Sequence, residues 1–224
     1  MSELMLNLLG RLSSMPCHAT ECTLERMLAD WREDIDTAII RREIGNWLIR
    51  SDAADEVRMG ARETSTHYVW PLYVASNGYA LTINEFKDPR YMSLGYANVL
   101  HNHRYSFASL VLSGGYSQVR SRVEMHITGQ AARIDDIAQD FAFEGRVLTI
   151  NHGEFHRLTD IGDRTVTLLA KCPPVKRDSV SVNIKTLEVS RHVPVEARLF
   201  ELMGALTTGE HAGRIEEKSH ARIG

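Results

Sequence analysis

The sequence predicts a mainly β protein: a single jelly-roll β-barrel with a helical flank before it and a short helix after it. Two observations predict this. After Ser65 the chain passes through ten short segments, each alternating apolar and polar residues or rich in β-branched and aromatic ones. Turn residues bound them, among them Asn77-Gly78, Gly114-Gly115, Thr128-Gly129 and Gly162-Asp163. Many short strands with no helical period between them make a sandwich or barrel, in which sheet edges are closed or protected.

Before Ser65 the period changes to that of helices. Leu24, Met27, Leu28, Trp31, Ile35, Ile39, Ile40, Ile44 and Leu48 recur every three or four residues, as in an amphipathic helix or helix pair. The apolar start, Met1 to Gly10, carries Glu3 where a secretory leader has basic residues, so it reads as a docking segment or the start of a helix. The expected strands cover 66–75, 79–86, 97–103, 107–112, 116–127, 131–137, 146–151, 154–159, 165–171 and 180–189. Val195, Leu199, Phe200 and Met203 share one face of a closing helix over 193–206, and the polar residues after Thr207 read as a loose tail. The chain therefore divides into a helical flank at 1–65, a barrel at 66–190 and a C-terminal helix and tail at 191–224.

Composition narrows the function. Of 224 residues, 43% are hydrophobic and 25% charged, as in a soluble globular protein, and no apolar run approaches the ~20 residues that span a bilayer. Net charge is −3 with both signs interspersed, which gives no footprint for nucleic acid or a membrane and favours a small-molecule partner. Three cysteines, Cys17, Cys22 and Cys172, suit a reducing compartment, so the expected location is cytoplasmic; their spacing matches no zinc pair. Apolar barrel edges and the helical flank would suit a homodimer.

The stretch from Gly95 to His156 carries the chemistry. His101 and His103, one residue apart in a strand, point to the same face and can reach one ion. His156 follows Gly153 after an expected turn, so a hairpin can bring it to the same place. Three neutral imidazoles leave part of a divalent ion's coordination sphere open to water, oxygen or substrate, which makes such a site catalytic. Tyr105 shares their strand parity and is placed to donate its hydroxyl to a ligand on the ion. His152 and His126 are weaker candidates, and His67 could reach the mouth of the barrel. Arg90, Arg104 and Arg120 could clamp a carboxylate.

Gly95, His101, His103 and Gly115, with Gly145, Gly153 and His156, stand at the intervals of two motifs of the cupin superfamily, which this chain resembles over approximately residues 66–190. Those motifs read Gly-x5-His-x-His-x3-4-Glu-x6-Gly and Gly-x5-Pro-x-Gly-x2-His-x3-Asn. Phe107 or Ala108 takes the place of the glutamate, Asn151 that of the proline and Asp160 that of the asparagine. A histidine set without the carboxylate is similar to the thiol dioxygenase branch, as are Ser106 and the run Cys172-Pro173-Pro174. That branch carries a Ser-His-Tyr set where this chain has Thr167, Leu169 and Lys171, so the resemblance implies the metal site and not the substrate.

The expected function is a non-haem Fe(II) oxygenase. It would use O2 and a small, anionic, amino-acid- or thiol-like substrate, with Lys171 turned toward the pocket to pair with an acidic group. The alternatives are a cupin that uses Zn, Ni or Mn for isomerase, lyase or hydrolase chemistry, and a non-catalytic small-molecule binder.

Overall fold

The computed structural model describes residues 2–50, 53–92, 96–126 and 131–194, with Leu199 and Met203 beyond them. Four helices come first: α1 (Glu3–Ser13), α2 (Glu21–Arg32), α3 (Thr37–Arg50) and α4 (Ala53–Gly60). Twelve strands follow among the described residues. They are β1 (Arg62–Glu63), β2 (His67–Val74), β3 (Ala80–Phe86), β4 (Val99–His101), β5 (Phe107–Ser113), β6 (Gly115–Met125), β7 (Ala131–Phe143), β8 (Val147–Ile150), β9 (Phe155–Ile161), β10 (Val166–Lys171), β11 (Ser179–Asn183) and β12 (Val189–His192).

The strand order defines the jelly roll. One six-stranded sheet runs β1-β2-β3-β10-β5-β8 and the other β12-β11-β4-β9-β6-β7, all pairs antiparallel. Counted from β3, the first sheet takes the first, eighth, third and sixth of eight strands, and the second takes the second, seventh, fourth and fifth. This is the double Greek key of a two-sheet jelly roll. The outer strands β1, β2, β11 and β12 widen the two walls, and the order records no hydrogen-bonded ring around them.

Most of the expected strand positions agree with this, but β1 is not among them, and 97–103 holds only β4, after a 3-10 turn over Tyr96–Asn98. The segment 180–189 is a hairpin, β11 and β12, split by a turn in which Leu187 takes φ +60°. β7 is longer than its alternation suggested, pairing with β6 from Ala131 to Phe143. Gly115 and Gly145 are needed locally. A Cβ on Gly115 would lie 2.5 Å from the Ala142 carbonyl oxygen, and Gly145 has φ +84°. Gly95 lies outside the described residues, as does most of the expected helix over 193–206; of that segment Val193 and Pro194 are described and not helical, and Leu199 and Met203 are described as helical and about half exposed.

The helical run over 23–49 is two helices, α2 and α3, because Asp34 adopts φ +64° between them. The apolar start forms α1, capped by Ser2, whose hydroxyl accepts from the Met5 amide. No periodicity pointed to α4. The helices cover the outer face of the first sheet: Leu12, Leu28 and Ile40 share one hydrophobic cluster with Leu81, Leu110, Leu168 and Ala170, all fully buried. Along β10 the even-numbered residues meet the helices, which leaves Thr167, Leu169 and Lys171 facing the space between the sheets. Both faces of this sheet are therefore buried along β10. None of the described helices is long and apolar enough to cross a membrane.

Candidate metal centre

His101 and His156 are direct cross-strand partners on β4 and β9, so their side chains rise from the same face of the second sheet. Their ring centroids are 4.5 Å apart. β4 ends at His101, and His103 sits just past it in an extended segment that the Asn102 amide still ties to the Val180 carbonyl, at 3.0 Å. Asn102 turns its side chain the other way, to accept from the Val180 amide at 2.9 Å. His103 thus comes back to the side of His101, with ring centroids 4.9 Å apart. One ligand nitrogen from each of the three histidines lies within 4.8 Å of the others, the only such group of three or more metal-ligating side chains among the described residues.

β8 and β9 are not the expected hairpin, since β8 pairs with β5 in the first sheet and β9 with β4 and β6 in the second; the turn between them carries the chain across, and with it His156. That turn is closed by the Glu154 amide bonding the Asn151 carbonyl, at 3.0 Å, and by the Gly153 amide bonding Asn151 Oδ1, at 3.0 Å. Asn151, standing where the resemblance expects proline, does the work of a turn residue and also donates to Glu21 of α2 at 3.2 Å. Gly153 has room for a side chain, since the nearest atom to its Cβ position is 3.6 Å away.

A row of polar contacts orients His156. Arg120 lies 2.6 Å from Asp140 and 2.9 Å from Glu154, so both carboxylates are held on one guanidinium. Gln118, 1% exposed, donates its amide nitrogen to Asp140 Oδ2 at 3.3 Å, which turns its Oε1 toward His156 Nδ1, at 3.1 Å. An amide oxygen only accepts, so Nδ1 carries the proton and Nε2 keeps its lone pair for an ion. That Nε2 is 2.9 Å from His103 Nε2. Two nitrogens each ~2.1 Å from one ion and about 90° apart would be about 3.0 Å from each other, so the donor set fits a divalent metal.

Burial favours the neutral form of every ring in the group. It pushes the pKa of His101 down and those of His103 and His156 well down, with the neighbouring histidines adding to the effect on the last two. Phe107, where the resemblance expects a glutamate, stands edge-on to His103 with ring centroids 4.9 Å apart and gives the site an apolar wall in place of a carboxylate.

The histidines open on a chamber of about 90 Å3 between the sheets, which leads to a wider mouth of about 420 Å3. Tyr105 and Lys171 both line the chamber, with Lys171 Nζ 5.2 Å from the centre of the Tyr105 ring. Burial raises the Tyr105 pKa and lowers that of Lys171 to about 7. Lys171 is 8% exposed, and among the described residues no carboxylate pairs with it. Arg62 and His67 also line both spaces, burial pushing His67 down to about 3, and neither lining includes an Asp or Glu.

The remaining candidates lie elsewhere. Ser106 bonds the His152 amide at 3.1 Å and its ring nitrogen at 3.3 Å, so both serve the turn. Arg90 is bound to Asp88 at the surface and Arg120 to its two carboxylates. Cys172 is buried on the helical side, 3.6 Å from the Ala19 carbonyl, while Cys17 and Cys22 are exposed and free. Gln118, Asn84 and Arg62 escaped the sequence reading. Gln118 carried the one usable signal, a long polar residue among the alternating residues of a strand.

Fold and cluster together define a jelly-roll protein with a metal-capable three-histidine centre. No family model and no curated protein matches the chain. Solved structures overlap it in part. The capsular polysaccharide assembling protein CapF from Staphylococcus aureus is 18% identical over 52% of this chain and 28% of that one, with TM-score 0.35. An oxalate decarboxylase variant from Bacillus subtilis is 17% identical over 52% and 28%, with TM-score 0.32. Hydroxypropylphosphonic acid epoxidase from S. wedmorenis is 11% identical over 48% and 50%, with TM-score 0.32. The chain spans about a third of the length of the first two or less and half that of the third, and the jelly roll is defined by its own strand order.

Replacing Gln118 by leucine keeps the volume and removes the acceptor at His156 Nδ1. Metal affinity is expected to fall by about 10- to 100-fold. Competition against a chelator measures it, and Gln118→Glu, which restores an acceptor, should recover most of the loss.

Proposed function

We propose that this protein is a metal-dependent oxygenase that acts on a small anionic substrate, amino-acid- or thiol-like, with O2 as co-substrate. The observation that carries the reading is a neutral three-histidine donor set facing a chamber lined by Lys171 and Arg62 and by no acid. His101, His103 and His156 would hold the ion, and Fe(II) is the one whose chemistry suits open positions beside neutral imidazoles: it supplies the electron transfer that lets triplet oxygen react with a closed-shell organic molecule. Neutral ligands leave the ion's full charge for the substrate to meet, and Lys171 adds a second cation in the same chamber. Tyr105, kept protonated by its raised pKa, offers a hydrogen-bond donor beside His103, its ring 5.7 Å away. Phe107, with Val69, Leu158 and Leu169, gives that space part of an apolar lining. For a thiolate the balance is RS− + O2 → RSO2−, sulfur losing four electrons and the two oxygen atoms taking them, so no outside reductant enters.

The test is anaerobic loading with Fe(II), followed by oxygen uptake with small thiols, amino acids and other short acids. Failure to retain iron sinks the reading. Activity that appears with Zn(II), Ni(II) or Mn(II) and needs no oxygen would move the protein to non-redox chemistry at the same site.

We also propose a homodimer through β7, the edge of the second sheet. Phe141 and Phe143 lie on one face of that strand and Ile137 in the β-bulge beyond them, and the three are 59%, 60% and 55% exposed. Phe141→Asp is expected to turn a dimer into a monomer in sedimentation equilibrium; a wild-type monomer at micromolar concentration removes the proposal.

A further inference from the structure

Asn84 and Thr167 are direct cross-strand partners on β3 and β10. Both are more than nine-tenths buried and both line the inner chamber. Neither Asn84 Oδ1 nor Thr167 Oγ1 has a hydrogen-bond partner. Buried polar side chains are nearly always bonded, so two orphaned atoms side by side in one chamber wall point to a partner that is not protein. The other orphaned atoms, on Thr82, Arg157 and Thr159, belong to residues outside the chamber lining. Lys171 follows Thr167 by four residues on the same face of β10 and lines the same chamber.

We infer that the chamber binds a short-chain hydroxy acid, with its anionic group on Lys171 and its hydroxyl between Asn84 and Thr167. The Lys171 end rests on the anionic-substrate reading above; the Asn84–Thr167 end stands on the orphaned pair. A hydroxyl is the group that satisfies both atoms together. Its proton goes to Asn84 Oδ1 and its lone pair accepts from the Thr167 hydroxyl. An ammonium can donate to both oxygens but has no lone pair for the Thr167 proton, which it leaves without an acceptor, while a methyl meets neither. A hydroxyl also suits either face of the Asn84 amide, being donor and acceptor at once. The chamber, about 90 Å3, limits the ligand to a few heavy atoms.

The test uses the full chain loaded with Zn(II), titrated calorimetrically under nitrogen with β-hydroxypropionate, propionate and β-alanine. β-Hydroxypropionate is expected to bind at least about tenfold more tightly than either of the others, because a site built for a hydroxyl leaves polar atoms unpaired when the hydroxyl is missing. Thr167→Val, which matches threonine in shape, should erase that preference, and Thr167→Ser should restore it; thermal unfolding confirms that each variant is folded. Equal binding of the three acids, no binding of any, or a preference that survives Thr167→Val overturns the inference. Because the assay needs no turnover, the two readings fail separately. A protein that binds the hydroxy acid and consumes no oxygen refutes the oxygenase alone. One that consumes oxygen with acids regardless of a hydroxyl refutes the hydroxyl subsite alone.

Discussion

His156→Ala is expected to abolish metal retention, lowering affinity by more than about a hundredfold, since loss of a contact that only orients a ligand already costs about 10- to 100-fold. His156 is the most buried of the three histidines, at 5% exposure, and its Nε2 sits 2.9 Å from that of His103. Without it two imidazoles on neighbouring chain segments remain, and the Gln118 oxygen loses the proton it accepted. Metal content after dialysis measures the loss, and thermal unfolding of the metal-free variant shows that the fold survives. Retention equal to wild type would remove the metal centre. The same histidines set a pH dependence. Their folded pKa values lie below the ordinary 6.5, so as pH falls through 6.5 the unfolded chain takes up protons that the folded one refuses. Metal-free protein therefore loses stability below pH 6.5, and bound metal, which needs the neutral rings, should offset that loss.

Lys171→Met is expected to stabilise the protein while weakening its hold on an anionic ligand. The lysine is nearly fully buried, and burial lowers its pKa from 10.5 to about 7. Between those values the unfolded chain holds the proton and the folded one does not, so stability rises with pH over that window and the full penalty applies below it. Removing the charge should therefore gain on the order of a few kcal/mol at pH 6 and flatten the slope between pH 7 and 10.5. Chemical unfolding of both proteins across that range checks it. Anion affinity should move the opposite way, falling in wild type as pH rises through about 7 and staying low in the variant. A lysine with only a packing role would show the slope, which burial alone produces, without the loss of affinity. A group that costs stability and serves a ligand is what a binding site contains.

Much of the fold and part of the site were legible in the sequence. The strands were visible because residues at half-buried positions alternate, and the turns because Gly and Asn carry the backbone conformations turns need; Gly115 and Gly145 show that need in the structure. His101 and His103 were legible because their spacing brings them back to one side of an extended chain whatever the register of its neighbours. Four things were not. The run over 23–49 reads equally as one helix or a pair, and Asp34, at φ +64°, decides for the pair. The helices bury the outer face of the first sheet, and this inverts the usual reading of alternation: Leu168 and Ala170 point outward to them, while Thr167 and Lys171 point in. Gln118 matters only because β6 lies beside β9, and Asn84 only because β3 lies beside β10. Local periodicity decided which segments are strands and where two of the histidines point. Only the tertiary pairing of distant strands decided that His156 joins them, that a glutamine orients it, and that the chamber beyond is polar, cationic and free of acids.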